Sequence, residues 1–288
     1  MVKVVAFMTV EQSSICDNGS MNQRFQVLGN PIAHSLSPKI MQCFAAQFNM
    51  DIDYQKQLLT EANFKQHLDY FFANGGRGCN VTMPFKTRAY QYATVKSKNC
   101  QKVKAANTLW SKNNRIYADN TDIYGLTKVL QTHINLSADN KALIVGAGGS
   151  AMAVAAVLDS YGVELIIANR TLAKAEQIAA LFSSKIHCST LHNIPKANYQ
   201  LIVNATSAFA KGENIKLPKY IVNKATFCYD LMYKINGQTY FELWAANLGA
   251  QTDNGLLMLV YQAAKSFSLW FDLEPNVDST YQILKNER

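Results

Sequence analysis

The residues that could do chemistry fall into a few short groups. The first is Gly146-Ala147-Gly148-Gly149-Ser150-Ala151, which fits G-x-G-x-x-[GA] with alanine in the third slot. It follows the apolar run Ala142-Leu143-Ile144-Val145 and precedes an alanine-rich helical pattern, the context that gives the motif meaning. Gly146 allows the tight turn and Gly148 lets the backbone approach a pyrophosphate. The helix N-terminus offers that anion free N–H groups and partial positive charge. A glycine-rich turn with no ligand is the competing reading. The next apolar run ends at Asn169-Arg170-Thr171, with Lys174 one helical turn on and no acid between. A carboxylate there would bind a ribose 2′-hydroxyl, whereas Arg170 and Lys174 favour a 2′-phosphate and therefore NADP(H) over NAD. Two solvated surface cations are the alternative.

A second set stands at element starts in the first third of the chain. Ser35-Leu36-Ser37-Pro38 puts two hydroxyls at a strand-to-helix turn, where a serine before proline also serves as an N-cap. Asn80-Val81-Thr82-Met83-Pro84-Phe85-Lys86 ends a strand and opens a helix. With Pro84 as the first helical residue, Lys86 lies in the first turn. The helix dipole disfavours a cation there, so the side chain could give up and take back a proton; an ordinary surface lysine is the other reading. Asn107-Thr108 and Asn120-Thr121-Asp122 complete the set, with Asp122 equally suited to N-capping.

These groups need elements to hold them. Strands are predicted at 25–28, 54–59 and 79–82. Helices are predicted from Ser37-Pro38, from Thr60 to Gly75-Gly76, and from Pro84. Asn113-Asn114 between NTLW and RIYA reads as a hairpin turn. The phenylalanine stripe Phe64, Phe71, Phe72 reads as core. From Asp122 onward, helices near 122–130 and 172–182 alternate with strands at 142–145, 164–168 and 201–204. That alternation predicts a parallel α/β sheet. The helix pair beyond Gly255 is apolar on more than one side and is expected to pack back on the first part.

Composition sets the outer bounds. Of 288 residues, 49% are hydrophobic and 17% charged, enough apolar material for a buried core and against general disorder. No run approaches the roughly 18 apolar residues of a membrane span. The net charge of +8 suits an anionic partner, but Lys and Arg are dispersed and do not point to nucleic acid. Cys16, Cys43, Cys79, Cys100, Cys188 and Cys228 form no CxxC pair, so no metal site or disulfide framework is indicated, and a reducing cytoplasm is expected. Residues 1–20 read as an accessory extension ahead of Met21, without the cleavage box of an export signal.

Together the motifs resemble the shikimate dehydrogenase family along nearly all of residues 21–288. The matching segments are GNPIAHSLSP at 29–38, GCNVTMPFK at 78–86, AANTL at 105–109, DNTD at 119–122, GAGGS at 146–150, NRT at 169–171, NATS at 204–207, CYDLMY at 228–233 and MLVYQAAKSF at 258–267. The resemblance implies an α/β protein with a cleft between two domains. An N-terminal α/β substrate domain (21–121, completed by 255–288) would face a Rossmann-type NADP-binding domain with a parallel sheet (122–254). The expected reaction is reversible NADPH-dependent reduction of 3-dehydroshikimate to shikimate, on the route to aromatic amino acids, by a monomer or homodimer. Lys86 and Asp122 match the catalytic pair. Ser35 and Ser37 match the carboxylate contacts, Thr82, Asn107 and Gln262 the hydroxyl contacts, and Tyr233 a further substrate-side contact. Gly146, Ala147, Gly148, Gly149 and Ser150 match the phosphate turn. Asn169, Arg170, Thr171 and Lys174 match the adenosine-phosphate clamp, with Gly255 and Met258 on the cofactor side.

Departures from the family pattern are Met152 where arginine is frequent, Phe209 near NATS, Leu257 in place of glycine, and Met41-Gln42 in place of His-Asn. All but the last bear on cofactor affinity. A quinate/shikimate dehydrogenase using NAD is an alternative, which Arg170 and Lys174 oppose. A non-catalytic dinucleotide-sensing or nucleic-acid-binding regulator is another, supported only by net charge and opposed by the Lys86–Asp122 pair.

Overall fold

A computed structural model describes residues 23–182, 185–206, 208, 216–234 and 237–286. The extension at 1–20 and Phe209 lie outside them. The first sheet is built by β1 (Gln23–Gly29), β2 (Ile52–Leu58), β3 (Gly76–Val81), β4 (Val95–Lys96), β5 (Thr108–Lys112) and β6 (Arg115–Asp119). Its order is β2-β1-β3-β5-β6-β4. β1 runs parallel to β2 and β3, while β5 is antiparallel to both β3 and β6, so the sheet is mixed. Helices α1 (Ser37–Gln47), α2 (Phe64–Ala73), α3 (Lys86–Tyr92) and α4 (Lys98–Val103) connect its strands. The β5–β6 turn is the predicted Asn113-Asn114 pair, with φ of 51° and 55°. Asparagine tolerates that left-handed backbone better than most residues, which is why it marks two-residue hairpins.

Helix α5 (Thr121–His133) leads into the second unit: β7 (Lys141–Val145), α6 (Gly149–Ser160), β8 (Glu164–Ala168), α7 (Leu172–Ala179), β9 (Ile186–Ser189), β10 (Leu201–Asn204), β11 (Phe227–Asp230), α8 (Tyr240–Ala246) and β12 (Gln251–Asn254). These six strands are all parallel, in the order β12-β11-β10-β7-β8-β9. The chain leaves central β7 toward β8 and later returns on its other side as β10. That reversal of strand order opens a crevice beyond the C-terminal strand ends, where open α/β sheets bind ligands. Strands buried on both faces need continuous apolar runs, and Leu143, Ile144, Val145, Leu165, Ile167, Ile202 and Val203 supply them.

Helix α9 (Leu256–Phe271) returns to the first unit and α10 (Val277–Asn286) follows. Leu256, Val260, Ala263, Ala264 and Phe267 repeat at helical spacing and join the core of Phe25, Ile40, Met41 and Phe44. Met258 belongs instead to the second core, with Leu126, Val129 and Leu130 of α5. The predicted two-sided apolar character of this helix is thus used by two cores at once. Trp270 stacks on Phe25 at 4.7 Å between centroids. Met41, at the position of the frequent histidine, is fully buried in the first core. Among the described residues no helix is long and apolar enough to cross a membrane, and no cluster of ligating side chains could hold a metal.

Three helix starts differ from expectation. Ser37 is the first residue of α1 rather than its cap; Leu36 takes the cap position, and the Ser37 amide donates to Ser35 Oγ at 3.3 Å. Helix α2 begins at Phe64, because Asn63 Oδ1 accepts from the Thr60 amide at 2.7 Å and holds 60–63 as a turn. Pro84 lies in a turn closed by the Phe85 amide on the Thr82 carbonyl (3.0 Å), so α3 begins at Lys86 itself. Helix α7 stops at Ala179 rather than Phe182.

Candidate active site

Lys86 and Asp122 come from different elements, the first residue of α3 and the second of α5. Their side chains meet with Nζ 2.6 Å from Oδ2, and only 12% and 11% of each side chain is exposed. The other carboxylate oxygen, Oδ1, accepts from Asn107 Nδ2 at 2.9 Å. Both oxygens of Asp122 are therefore held, and Lys86 Nζ keeps donors beyond the one given to Asp122.

Asn107 is the hub of this wall. Its Nδ2 also reaches Thr121 Oγ1 at 2.9 Å and Gln262 Oε1 at 3.2 Å, sharing two protons among three acceptors. Its Oδ1 accepts from the Thr121 amide at 2.7 Å, which fixes the first turn of α5 against the β5 start. Gln262 arrives from α9, with Nε2 on the Leu259 carbonyl at 3.0 Å. The structure thus joins Lys86, Asp122, Asn107 and Gln262 by direct hydrogen bonds, across 36 residues of sequence for the ion pair and 155 for Asn107–Gln262.

The two serines lie at the far end of the same wall. Ser35 Oγ donates to Ser37 Oγ at 3.2 Å. Ser37 lies in hydrogen-bond reach of the Tyr54 phenol, whose proton goes to Asn80 Oδ1 at 2.7 Å. Burial pushes the Tyr54 phenol well above its ordinary range, with Cys79 adding and Ser37 offsetting. Asn80 Nδ2 reaches Ser266 Oγ at 2.9 Å and Thr108 Oγ1 at 3.2 Å. A continuous polar seam therefore runs from Ser35 to Lys86. Tyr54, Asn80, Thr108, Thr121 and Ser266 are members that sequence reasoning did not assign. Asn80, Thr108, Thr121 and Ser266 stood inside quoted motifs; Tyr54 carried no signal of its own. Thr82 is on the turn after β3, partly exposed, its amide on the Leu28 carbonyl at 2.8 Å.

Tyr233 follows β11 and crosses from the second unit to the first. Its ring packs on the first core, and its phenol takes the backbone N–H of Leu36, between the two serines. Burial raises that phenol, partly offset by the Leu36 amide.

The glycine turn follows β7. Gly146 has φ of +110°, a conformation L side chains rarely adopt. Gly148 caps α6 with no side-chain hydrogen bond, leaving the first-turn N–H groups to a ligand. A Cβ built on Gly148 would meet no atom within 4 Å, while one on Gly149 would lie 4.0 Å from Lys86 Cδ. An open cradle over a helix N-terminus, beside the lysine of the ion pair, fits the pyrophosphate of a dinucleotide. Arg170 and Thr171 are exposed just after β8, the strand beside β7, and Lys174 is exposed in the first turn of α7. Asn169 Nδ2 closes that turn on the Thr171 carbonyl at 2.8 Å. Gly255 precedes α9 and Met258 is nearly buried in its first turn. Met152 packs against Val103, Ala105 and Ala156, sealing the junction of α4 and α6, and Leu257 packs on the second core.

Comparison with known proteins gives consistent findings. Residues 27–109 match the model of the shikimate dehydrogenase substrate binding domain, 128–222 that of shikimate/quinate 5-dehydrogenase, and 255–285 that of the shikimate 5′-dehydrogenase C-terminal domain. The chain is 42% identical over 269 residues to the NADP(+) shikimate dehydrogenase of Legionella pneumophila strain Corby, covering 93% of this chain and 99% of that protein. A crystal structure of a shikimate dehydrogenase in complex with NADP+ superposes with a TM-score of 0.85 at 28% identity, over 93% of this chain and 96% of that one. The Thermus thermophilus enzyme in complex with NADP(H) and shikimate superposes with a TM-score of 0.81 at 29% identity, over 92% and 100%. By sequence, by fold and by the three matched segments, this chain belongs to the shikimate dehydrogenase family.

Proposed function

We propose that this chain interconverts 3-dehydroshikimate and shikimate with NADP(H), using Lys86 and Asp122 as its proton-handling pair. NADPH supplies the hydride when bound; the residues of the chain supply binding, orientation and the proton. Reduction of the ketone leaves an alkoxide that needs one proton. Lys86 Nζ gives it and is replenished from solvent; in the reverse direction the hydroxyl proton goes to the pair. Asp122, fixed by Asn107, holds the ammonium on one side and so aims its remaining N–H groups at the cleft.

The rest of the seam orients the ring. Ser35 and Ser37 are assigned to the carboxylate, with Tyr54 and Asn80 bracing them from behind. Thr82, Asn107 and Gln262 are assigned to the ring hydroxyls, and Tyr233 closes the site from the coenzyme side. Positioning of this kind supplies much of the rate in such reactions. Residues 146–150 are assigned to the pyrophosphate, Asn169, Arg170, Thr171 and Lys174 to the adenosine phosphate, and Gly255 and Met258 to the cleft wall beside α9. We read residues 21–121 with 255–288 as the substrate domain and 122–254 as the coenzyme domain. The five described cysteines are unpaired, which suits a reducing cytoplasm.

One observation carries this reading: the Lys86–Asp122 pair at 2.6 Å stands beside the glycine turn, so proton donor and coenzyme loop share one cleft. Asp122→Asn tests it. The amide keeps the shape and loses the charge, so kcat for shikimate oxidation should fall while NADP affinity holds. An unchanged kcat would remove Asp122 from the chemistry.

A further inference from the structure

Asp230 ends β11 and is completely buried, yet it takes no part in the chemistry described above. Its Oδ1 accepts two hydrogen bonds, from Asn204 Nδ2 and from the Met232 amide, each at 3.0 Å. The Thr239 hydroxyl also lies in hydrogen-bond reach of the carboxylate, although Oδ2 makes no hydrogen bond of good geometry among the described residues. A buried carboxylate without full pairing is costly, and such groups persist where they hold something in place.

Each bond leads to a wall of the cleft. Asn204 ends β10, and with its amide given to Asp230 its Oδ1 is turned toward the following loop. There it accepts from Thr206 Oγ1 at 2.9 Å and from the Thr206 amide at 3.2 Å. Thr206 and Ala205 back the glycine turn so closely that a Cβ on Gly146 would lie 2.9 Å from Thr206 Cγ2. The second bond fixes Met232, whose carbonyl accepts from the Gly255 amide at 3.1 Å, at the entry to α9. Met232 is followed by Tyr233, the side chain that reaches Leu36 between the two serines. Around the acid, Thr239 and Glu242 of the α8 start form a reciprocal cap at 2.7 and 3.1 Å, and Glu242 Oε1 accepts from Asn254 Nδ2 at 3.0 Å. The ends of β10, β11 and β12 are thereby tied into one buried polar cluster.

We propose that Asp230 is the positioning residue of the cleft, setting the backing of the phosphate turn through Asn204 and the Tyr233 strap through the Met232 amide. This rests on the coenzyme and substrate assignments made above. Asp230 touches neither ligand; its effect passes through two neighbours on opposite sides of the cleft. One residue therefore tunes both the NADP and the shikimate contacts, whereas Asn204 serves the NADP side alone.

The test uses the full chain with three substitutions. Asp230→Ala removes the acceptor of both bonds and should raise the shikimate KM and the NADP dissociation constant, each at least about tenfold, with kcat changed less. Asp230→Asn keeps an oxygen toward both donors, so both constants should stay within about threefold of the parent. Asn204→Ala should weaken NADP binding and leave the shikimate KM in place. NADP affinity is read by fluorescence titration, independently of turnover, and thermal unfolding of each variant is recorded. A parent that binds NADP but does not turn over shikimate would defeat the assigned reaction and not the role of Asp230. A folded Asp230→Ala with both constants unchanged, or an Asp230→Asn as impaired as the alanine variant, would overturn the proposal. Should the alanine variant fail to fold, Asn204→Ala decides: unchanged NADP affinity there overturns it equally.

Discussion

Lys86→Ala removes the group to which we assign the proton step, and the structure sets two separate magnitudes for it. Nζ lies 2.6 Å from Asp122 Oδ2 in a pair whose side chains are only 12% and 11% exposed. Without it, the Asp122 carboxylate retains the Asn107 amide at 2.9 Å as its partner. Breaking a buried pair by removing one member costs about 3–5 kcal/mol, and the residual exposure of both groups places this case toward the lower end. The kinetic effect is distinct. A positioned general acid contributes typically about 10²–10⁴-fold, so kcat should fall at least about a hundredfold, or about 2.7 kcal/mol of barrier. The shikimate KM should change much less, because the carboxylate and ring contacts proposed for Ser35, Ser37, Asn107 and Gln262 do not involve Lys86. Initial rates of NADPH formation over a range of shikimate concentrations, with thermal unfolding recorded alongside, separate the two effects. A folded Lys86→Ala enzyme with normal kcat and raised KM would show that Lys86 only binds substrate, and would refute the proton-transfer assignment.

Other substitutions probe other walls of the cleft. Arg170→Ala should raise KM for NADP far more than for NAD, since a guanidinium gains its advantage from the 2′-phosphate; equal effects on both coenzymes would remove it from that role. Ser37→Ala should raise the shikimate KM by about two- to tenfold with the fold intact, because Ser37 does not cap α1; a loss confined to thermal stability would contradict this. Burial pushes Asp230 up from 3.8 to about 6, and Glu242 adds to the effect against the hydrogen bonds of Thr239, Met232 and Asn204. A raised folded-state value means the native protein holds this proton more tightly than the unfolded chain, a stabilisation lost as pH climbs from about 4 to about 6. Asp230→Asn should therefore gain stability on the parent across that window, by up to about 3 kcal/mol, and then level off; parallel denaturation curves from pH 4 to pH 7 would be evidence against it.

The second unit was the more legible part of the sequence. Its strands at 164–168 and 201–204 coincide with β8 and β10, because a strand buried on both faces must be a short unbroken apolar run. The Asn-Asn hairpin was equally plain, since only a few residue types accept that turn. Short elements left weaker traces: β4 has two residues, α4 has six, and β12 carries Gln251, Thr252 and Asp253 with no apolar pattern at all. The three helix starts misread at Ser37, Thr60 and Pro84 share one cause. A side-chain or turn hydrogen bond at each place occupied the backbone groups that the simple capping rule assigns to the helix.

At the site, residues inside motifs could be named while their bracing could not. Asn80 meets Ser266 across 186 residues, and no local spacing encodes that pairing. Asp230 was visible only as a letter in CYDLMY; its two hydrogen bonds to Asn204 and Met232 emerge once β10 and β11 lie side by side.

The most direct test of the central claim is the absorbance of reduced nicotinamide formed by the purified chain from shikimate or quinate, each with NADP+ or NAD+. The arrangement of Lys86 and Asp122 beside a coenzyme cradle flanked by Arg170 and Lys174 predicts rapid reduction with shikimate and NADP+, and at least about tenfold lower kcat/KM with NAD+. No reduction with shikimate under any coenzyme, or faster turnover of quinate with NAD+, would contradict it.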